Sequence, residues 1–238
     1  MSFKKLNNIV GWCVFLVATI VFFLTMEPTV SWWDCGEYIS TANKLQVGHP
    51  PGAPLFQLIG RFFTLFAFGD VTKVAMMINI MSCLCSSFTI LFLFWTISML
   101  AQKIWLKDGD GSPVINKVAV LAASAIGALS YTFTDSFWFN AVEGEVYAMS
   151  SFLTAITFWA ILKWESVADE PNHYRWIIFI AYLIGLSIGV HLLNLLAIPA
   201  IVYVVYYKKF KFSWKGFITA GIISVVLVGF IQVLLIPA

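Results

Sequence analysis

The 238 residues are 61% hydrophobic and 17% aromatic but only 11% charged, with a mean hydropathy of +0.89. A soluble domain carries about 25% charged residues, so an ordinary soluble globule is excluded. A net charge of +2 is too small a footprint to suggest a nucleic-acid partner.

The apolar runs far exceed the ~9–11 residues of a membrane barrel strand. In lipid, every backbone polar group must be satisfied within the protein. The expected fold is therefore all-α, a polytopic membrane helical bundle. No soluble domain or internal repeat is evident, so 1–238 reads as a single transmembrane domain.

Lys4 and Lys5 precede an apolar run from Ile9 to Met26. No small-x-small cleavage site follows, which favours a signal-anchor helix over a removed leader. Residues 27–70 make the first outer loop. Within it, Asp34 to Val47 carries an apolar stripe of Tyr38, Ile39, Ala42 and Leu45, suited to a helix lying in the interface. Leu55 to Phe68 is short and holds Arg61, which fits a second interfacial helix or a re-entrant segment. Val71 to Ala101 is long enough to cross with tilt. Gln102 to Lys117 is a polar loop, and Val118 to Phe133 crosses again, rich in small residues that let helices approach. Thr134 to Tyr147 is the second outer loop, with Asp135, Glu143 and Glu145. Val146 to Trp164 crosses back, and Glu165 to Arg175 is a polar loop. Trp176 to Tyr207 is too long for one ordinary span. With Gly185, Gly189, His191 and Asn194 near its middle, it reads as two helices and a tight turn near His191. Lys208, Lys209, Lys211 and Lys215 follow, and then a last span from Phe217 to Ile236. At ~20 residues per crossing, about seven transmembrane helices result.

Orientation follows from the cations. With the N-terminus inside, eleven Lys and Arg residues fall inside and three (Lys44, Arg61, Lys73) outside, as the positive-inside rule requires. A single helix over Trp176–Tyr207 would give seven against seven, so the two-helix reading is preferred. Asp34, Glu37, His49, Glu143, Glu145 and His191 then share the outer face.

Each candidate admits two readings. Asp34 and Glu37 fit a capping box, and equally a carboxylate pair on one helical face that serves as general base. His49-Pro50-Pro51-Gly52 suits a rigid turn, or His49 donates to a phosphate. Glu143 and Glu145 are solvated loop acids, or they orient an acceptor or hold a divalent cation. Arg61 and Lys73 snorkel to headgroups, or they neutralise a lipid phosphate. His191 and Asn194 make a helix–helix hydrogen bond, or they are polar functional groups at membrane depth. Trp32, Trp33 and Trp138 suit an interfacial belt. Of the four cysteines, Cys13, Cys83 and Cys85 lie in apolar runs and Cys35 stands alone in the loop. Neither a disulfide nor a zinc site is implied.

At Trp33-Asp34-Cys35-Gly36-Glu37-Tyr38 and Leu45-Gln46-Val47-Gly48-His49-Pro50-Pro51-Gly52-Ala53-Pro54 the chain resembles a known family. So do Ala141 to Tyr147 and Gly189 to Asn194. The family is the Bacteroidetes-type set of bacterial membrane proteins similar to protein O-mannosyltransferases, in the GT-C glycosyltransferase superfamily. The resemblance implies a GT-C-like bundle, the N-terminal portion of a longer chain, with interfacial helices in its first outer loop. It further implies a sugar, with mannose suggested, carried on a polyprenyl phosphate and passed to Ser or Thr of exported proteins. By position, Asp34 matches the family's acidic base, with Glu37 beside it, and Glu143 and Glu145 match its second acidic motif. Cationic groups for the leaving phosphate would come from His49, Arg61, Lys73 and His191. The partners implied are membrane lipid, the lipid-linked donor and an acceptor protein. No cofactor is firmly implied. The location implied is a bacterial inner membrane, with the N-terminus cytoplasmic and the acidic loops periplasmic. The alternatives are a transporter or flippase, which needs acids near the bilayer midplane, and a non-catalytic membrane subunit.

Overall fold

The computed structural model describes residues 2–106 and 109–236. These residues form ten α-helices and no strand. They are α1 (Phe3–Thr25), α2 (Cys35–Lys44), α3 (Pro54–Thr64), α4 (Val74–Trp105) and α5 (Val114–Thr132), then α6 (Asp135–Ala141), α7 (Val146–Val167), α8 (Tyr174–Ile188), α9 (Ala197–Lys209) and α10 (Trp214–Phe230).

Six helical stretches among the described residues are long and apolar enough to cross a membrane. They contain α1, α4, α5, α7, α9 and α10. The remaining helix of the about seven expected is α8, which has 15 residues. At ~1.5 Å per residue it falls short of a ~30 Å hydrocarbon core. It still runs from one end of the bundle to the other. The Leu55 amide donates to the Gly189 carbonyl just past its C-terminus, at 2.7 Å, so this end meets the first outer loop. Before its N-terminus, Asp169 pairs with Lys208 and Lys209, each at 3.0 Å. The chain therefore breaks at Gly189–His191, as the glycine and histidine spacing predicts.

That break sets the sidedness. Lys103 at the end of α4 pairs with Glu165 at the end of α7. With Asp169, Lys208 and Lys209, they mark the lysine-bearing end. The acidic loops lie at the other end. In lipid the apolar drive between helices is weak, so packing and hydrogen bonds must hold the bundle. The central element is α4, which packs on α1, α3, α5 and α7. Ile78, Ile90 and Phe94 on it are fully buried. Two of its buried hydroxyls bond back to their own helix, Ser87 to the Cys83 carbonyl at 2.8 Å and Thr89 to that of Cys85 at 3.0 Å.

Three boundaries differ from the sequence reading. The polar loop predicted at Gln102–Lys117 is shorter, because α4 continues to Trp105 and α5 starts at Val114. The Gln102 amide donates to the Ser98 carbonyl and Lys103 pairs with Glu165, so polar residues prolong the helix past its apolar part. Lys107 and Asp108, assigned to that loop, lie outside the described residues. The second outer loop is partly helical: α6 docks by Phe137, buried against Phe22, and by Trp138 Nε1 on Thr25 Oγ1 at 3.0 Å. The first-loop helix predicted to Val47 stops at Lys44, where Leu45 turns left-handed at φ 51°. At 10 and 11 residues, α2 and α3 are too short to cross, and they pack on each other and on α4.

Candidate active site

The site begins at the entry to α2. Asp34 occupies the N-cap position, but at φ −82°, ψ −2° its backbone is already helical, and its side chain makes no cap bond. A capping side chain needs the extended backbone that lets it fold over the first turn. The capping-box reading is therefore corrected. The Asp34 carboxylate is exposed and has no hydrogen-bond partner among the described residues. Before it, Trp32 and Trp33 are exposed, as belt residues would be.

Glu37 does not reach back to Asp34 either. Its Oε1 accepts the His49 backbone N–H at 2.6 Å, and its Oε2 lies 3.1 Å from His49 Nδ1. Those two hydrogen bonds draw Glu37 below the usual carboxylate range, and the side-chain bond together with the Glu37 charge raises His49 above the usual imidazole value. The predicted rigid turn is present. The Gly52 amide donates to the His49 carbonyl at 2.9 Å, with a cis Pro50–Pro51 peptide between. Pro54 then opens α3 in its first turn.

The second outer loop brings its acids inward. Glu143 is 2% exposed and Glu145 7%. Ser31 and Cys35 donate to the Glu143 carboxylate, which burial nonetheless raises above its ordinary range. Burial, followed by Glu143 and Glu145, pushes the Cys35 thiol up to about 12, so it stays a donor. Burial pushes Glu145 up to about 7, with repulsion from Glu143 and Asp34 added. Tyr38, between the two loops, is raised to about 12 by burial and by Glu145 and Asp34. Acids from both loops thus feel one another directly.

The raised Glu145 value carries a stability consequence. The folded state keeps a proton that the unfolded chain releases, so stability falls as pH rises from the ordinary 4.5 towards about 7. Glu145→Gln removes that penalty. The variant is expected to melt a few degrees higher than wild type at pH 8, at ~2–4 °C per kcal/mol. The two should converge at pH 4, and thermal denaturation at both values checks it.

An interlock joins the loops behind the acids. Asn79 of α4 is 1% exposed, and its Nδ2 donates to the Glu27 carbonyl at 2.7 Å and to that of Thr29 at 2.9 Å. The Glu27 amide donates to the Val142 carbonyl at 3.1 Å. Gly144 sits against this knot, where a Cβ would fall 2.9 Å from Asn79 Oδ1 and 3.0 Å from Ile39. Only glycine fits between the two glutamates without displacing them.

The other predicted residues are placed differently. His191 lies at the α8–α9 break with its ring 5.4 Å from that of Tyr147, and burial lowers it below the usual imidazole value. Its Nδ1 accepts the Leu193 amide at 3.2 Å, which makes it a neutral ring rather than a cation. Asn194 is fully buried and donates to Thr157 Oγ1 of α7 at 3.2 Å, the helix–helix bond that was one of its two readings. Arg61 Nη1 is spent on the end of α2, at 2.8 Å from the Asn43 carbonyl and 3.1 Å from its side-chain oxygen. Lys73 pairs with Asp70 at 3.2 Å. Neither cation touches the acids. Among the described residues, no three His, Cys, Asp or Glu side chains group as a metal site. A cavity of about 710 Å³ between α8, α9 and α10 lies at the lysine-bearing end, away from this chemistry. Sequence reasoning missed Asn79 and Ser31, and it gave Tyr38 and Tyr147 no role beyond the motifs and the apolar stripe they belong to. Asn79 did carry a signal, as a lone amide in an apolar run.

Fold and site together define a polytopic helical membrane protein that gathers carboxylates from two loops at one end. The profile of a family described as the protein O-mannosyl-transferase TMEM260 N-terminal domain matches residues 34–214. The chain belongs to that family. It is 26% identical over 240 residues to the protein O-mannosyl-transferase tmem260 of Dictyostelium discoideum, covering 95% of this chain and 27% of that protein. It is 26% identical over 176 residues to protein O-mannosyl-transferase TMEM260 of Mus musculus, covering 74% of this chain and 22% of that protein. The chain thus spans about a quarter of the length of these relatives. No solved structure matches it significantly.

Proposed function

We propose that the chain forms the site-bearing part of a GT-C-type membrane glycosyltransferase. It would pass a sugar, mannose first among candidates, from a polyprenyl phosphate to Ser or Thr of exported proteins. The observation that carries this reading is the meeting of Asp34 with Glu143 and Glu145 at the end opposite the lysines. The names of its relatives support the same chemistry. The lysine distribution supports a cytoplasmic N-terminus and acids facing outward, periplasmic in a bacterial inner membrane.

In this reading the acceptor hydroxyl lies against the free Asp34 carboxylate. Its oxygen attacks the anomeric carbon from the face opposite the phosphate. The new C–O bond forms as the bond to the phosphate oxygen breaks, and that oxygen keeps the electron pair. The hydroxyl proton passes to Asp34, and configuration inverts. Glu145, buried beside Asp34, orients the acceptor. General base catalysis of this kind contributes ~10²–10⁴-fold.

A transporter or flippase would place ionisable groups along a path through the bilayer. Here the acids lie outside all six candidate spans, which favours the transferase. The test uses membranes bearing the full-length protein, a radiolabelled polyprenyl-phosphate sugar and Ser/Thr peptides. Label transferred only when the protein is present supports the reading. No transfer with any of several sugars overturns it in favour of a transport or subunit role.

A further inference from the structure

We propose that Glu37 is a positioning residue: it holds His49 as a fixed cation whose free Nε2 is offered to the departing phosphate of the lipid-linked donor. This deepens the transferase reading and rests on it. The geometry comes first. Both oxygens of one carboxylate are taken by one residue, the backbone amide at 2.6 Å and the ring Nδ1 at 3.1 Å. A carboxylate held at both oxygens by one residue is oriented on that residue. An imidazole held through Nδ1 has a fixed plane and presents Nε2 outward. His49 is 43% exposed, and Nε2 has no partner among the described residues.

The backbone is shaped for this contact. A Cβ on Gly48 would fall 2.9 Å from Glu37 Oε1, so glycine is what lets the chain close on the carboxylate. The turn to Gly52 fixes the far side of His49, and the Tyr38 ring lies 5.7 Å from the imidazole. Gln57 of α3 backs the same turn. It is 9% exposed, its Nε2 is unpaired, and that nitrogen lies 3.5 Å from the same Cβ position.

The charged groups around His49 agree. Glu37 on α2, Asp34 before it and Glu145 from the second loop all favour the imidazolium. Tyr38 adds no charge near neutral pH, and Gln57 is neutral. Arg61 and Lys73 bond elsewhere, whereas His49 is held against the site's own carboxylate. Electrostatic donors aimed at the leaving oxygen act where charge develops.

The test uses the full-length protein in lipid nanodiscs. Diethyl pyrocarbonate reacts with neutral imidazole, so modification of the His49 peptide against pH reports its protonation by mass spectrometry. In wild type, the His49 midpoint is expected above that of His191. In Glu37→Gln, which keeps an oxygen for the backbone amide but loses the charge, it should fall by about one pH unit. His191 should not move. A His49 midpoint at or below that of His191 in wild type, or an unmoved one in the variant, overturns the proposal. This arm needs no turnover, so it stands apart from failure of the transferase reading. Where wild type transfers sugar, Glu37→Gln and His49→Asn should each lower kcat/KM for the donor ~10-fold or more. The double variant should be no worse than His49→Asn. Losses that multiply overturn the proposal.

Discussion

Transfer by an Asp34→Asn variant of the full-length protein falls by at least ~10²-fold, the usual range for loss of a general base, while the bundle stays folded. The second half of this expectation comes from the geometry at α2. Had Asp34 capped the helix, its loss would have mixed a stability cost of ~0.5–2 kcal/mol with any catalytic one. The side chain makes no cap bond and is exposed, so the amide replaces it without an orphaned partner. The variant should therefore match wild type in membrane yield and thermal midpoint and differ in turnover. Peptide transfer at matched protein level checks it. Normal turnover would remove Asp34 from the mechanism and shift the base to Glu145, whose near-neutral titration suits that role. Lost transfer with a lowered midpoint would mean that Asp34 holds structure after all.

Much of this architecture was legible in the sequence, because membrane helices declare themselves by length and apolarity. The break at His191 followed from two glycines and a charge count, and the Leu55–Gly189 bond bears it out. The convergence of the two acidic loops on one end followed from the same count. What the sequence did not disclose was pairing at long range. Asp34 and Glu37 have the spacing of a capping box, and local spacing could not reveal that Glu37 is claimed by His49, twelve residues on. Arg61 looked available because its partner Asn43 sits across a turn, eighteen residues back. The stretch from Trp176 to Tyr207 divides into α8 and α9 at the His191 break, as its length required.

Asn79→Ala is expected to be the most damaging single change to the scaffold of the site. The side chain spends both amide hydrogens on carbonyls about 50 residues away in sequence, those of Glu27 and Thr29. Its removal takes the donor from two carbonyls in part-buried bonds, each worth ~0.5–1.5 kcal/mol. The loss is also directional. The Glu27 amide is bonded to Val142, so freeing the 27–29 segment loosens the second loop's hold on the first. Glu143 and Glu145 follow Val142 directly, so the acidic cluster should open as the interlock does. A melting temperature lowered by ~5 °C or more, with faster proteolysis at the outer loops, is the expected result. Gly144→Ala presses on the same knot from the other side, with its Cβ 2.9 Å from Asn79 Oδ1. It should act in the same direction, and the two changes together should cost less than their sum because they break one contact. An Asn79→Ala protein with wild-type melting and transfer would mean that the loops are held by their packing on Ile39 and Cys35 instead.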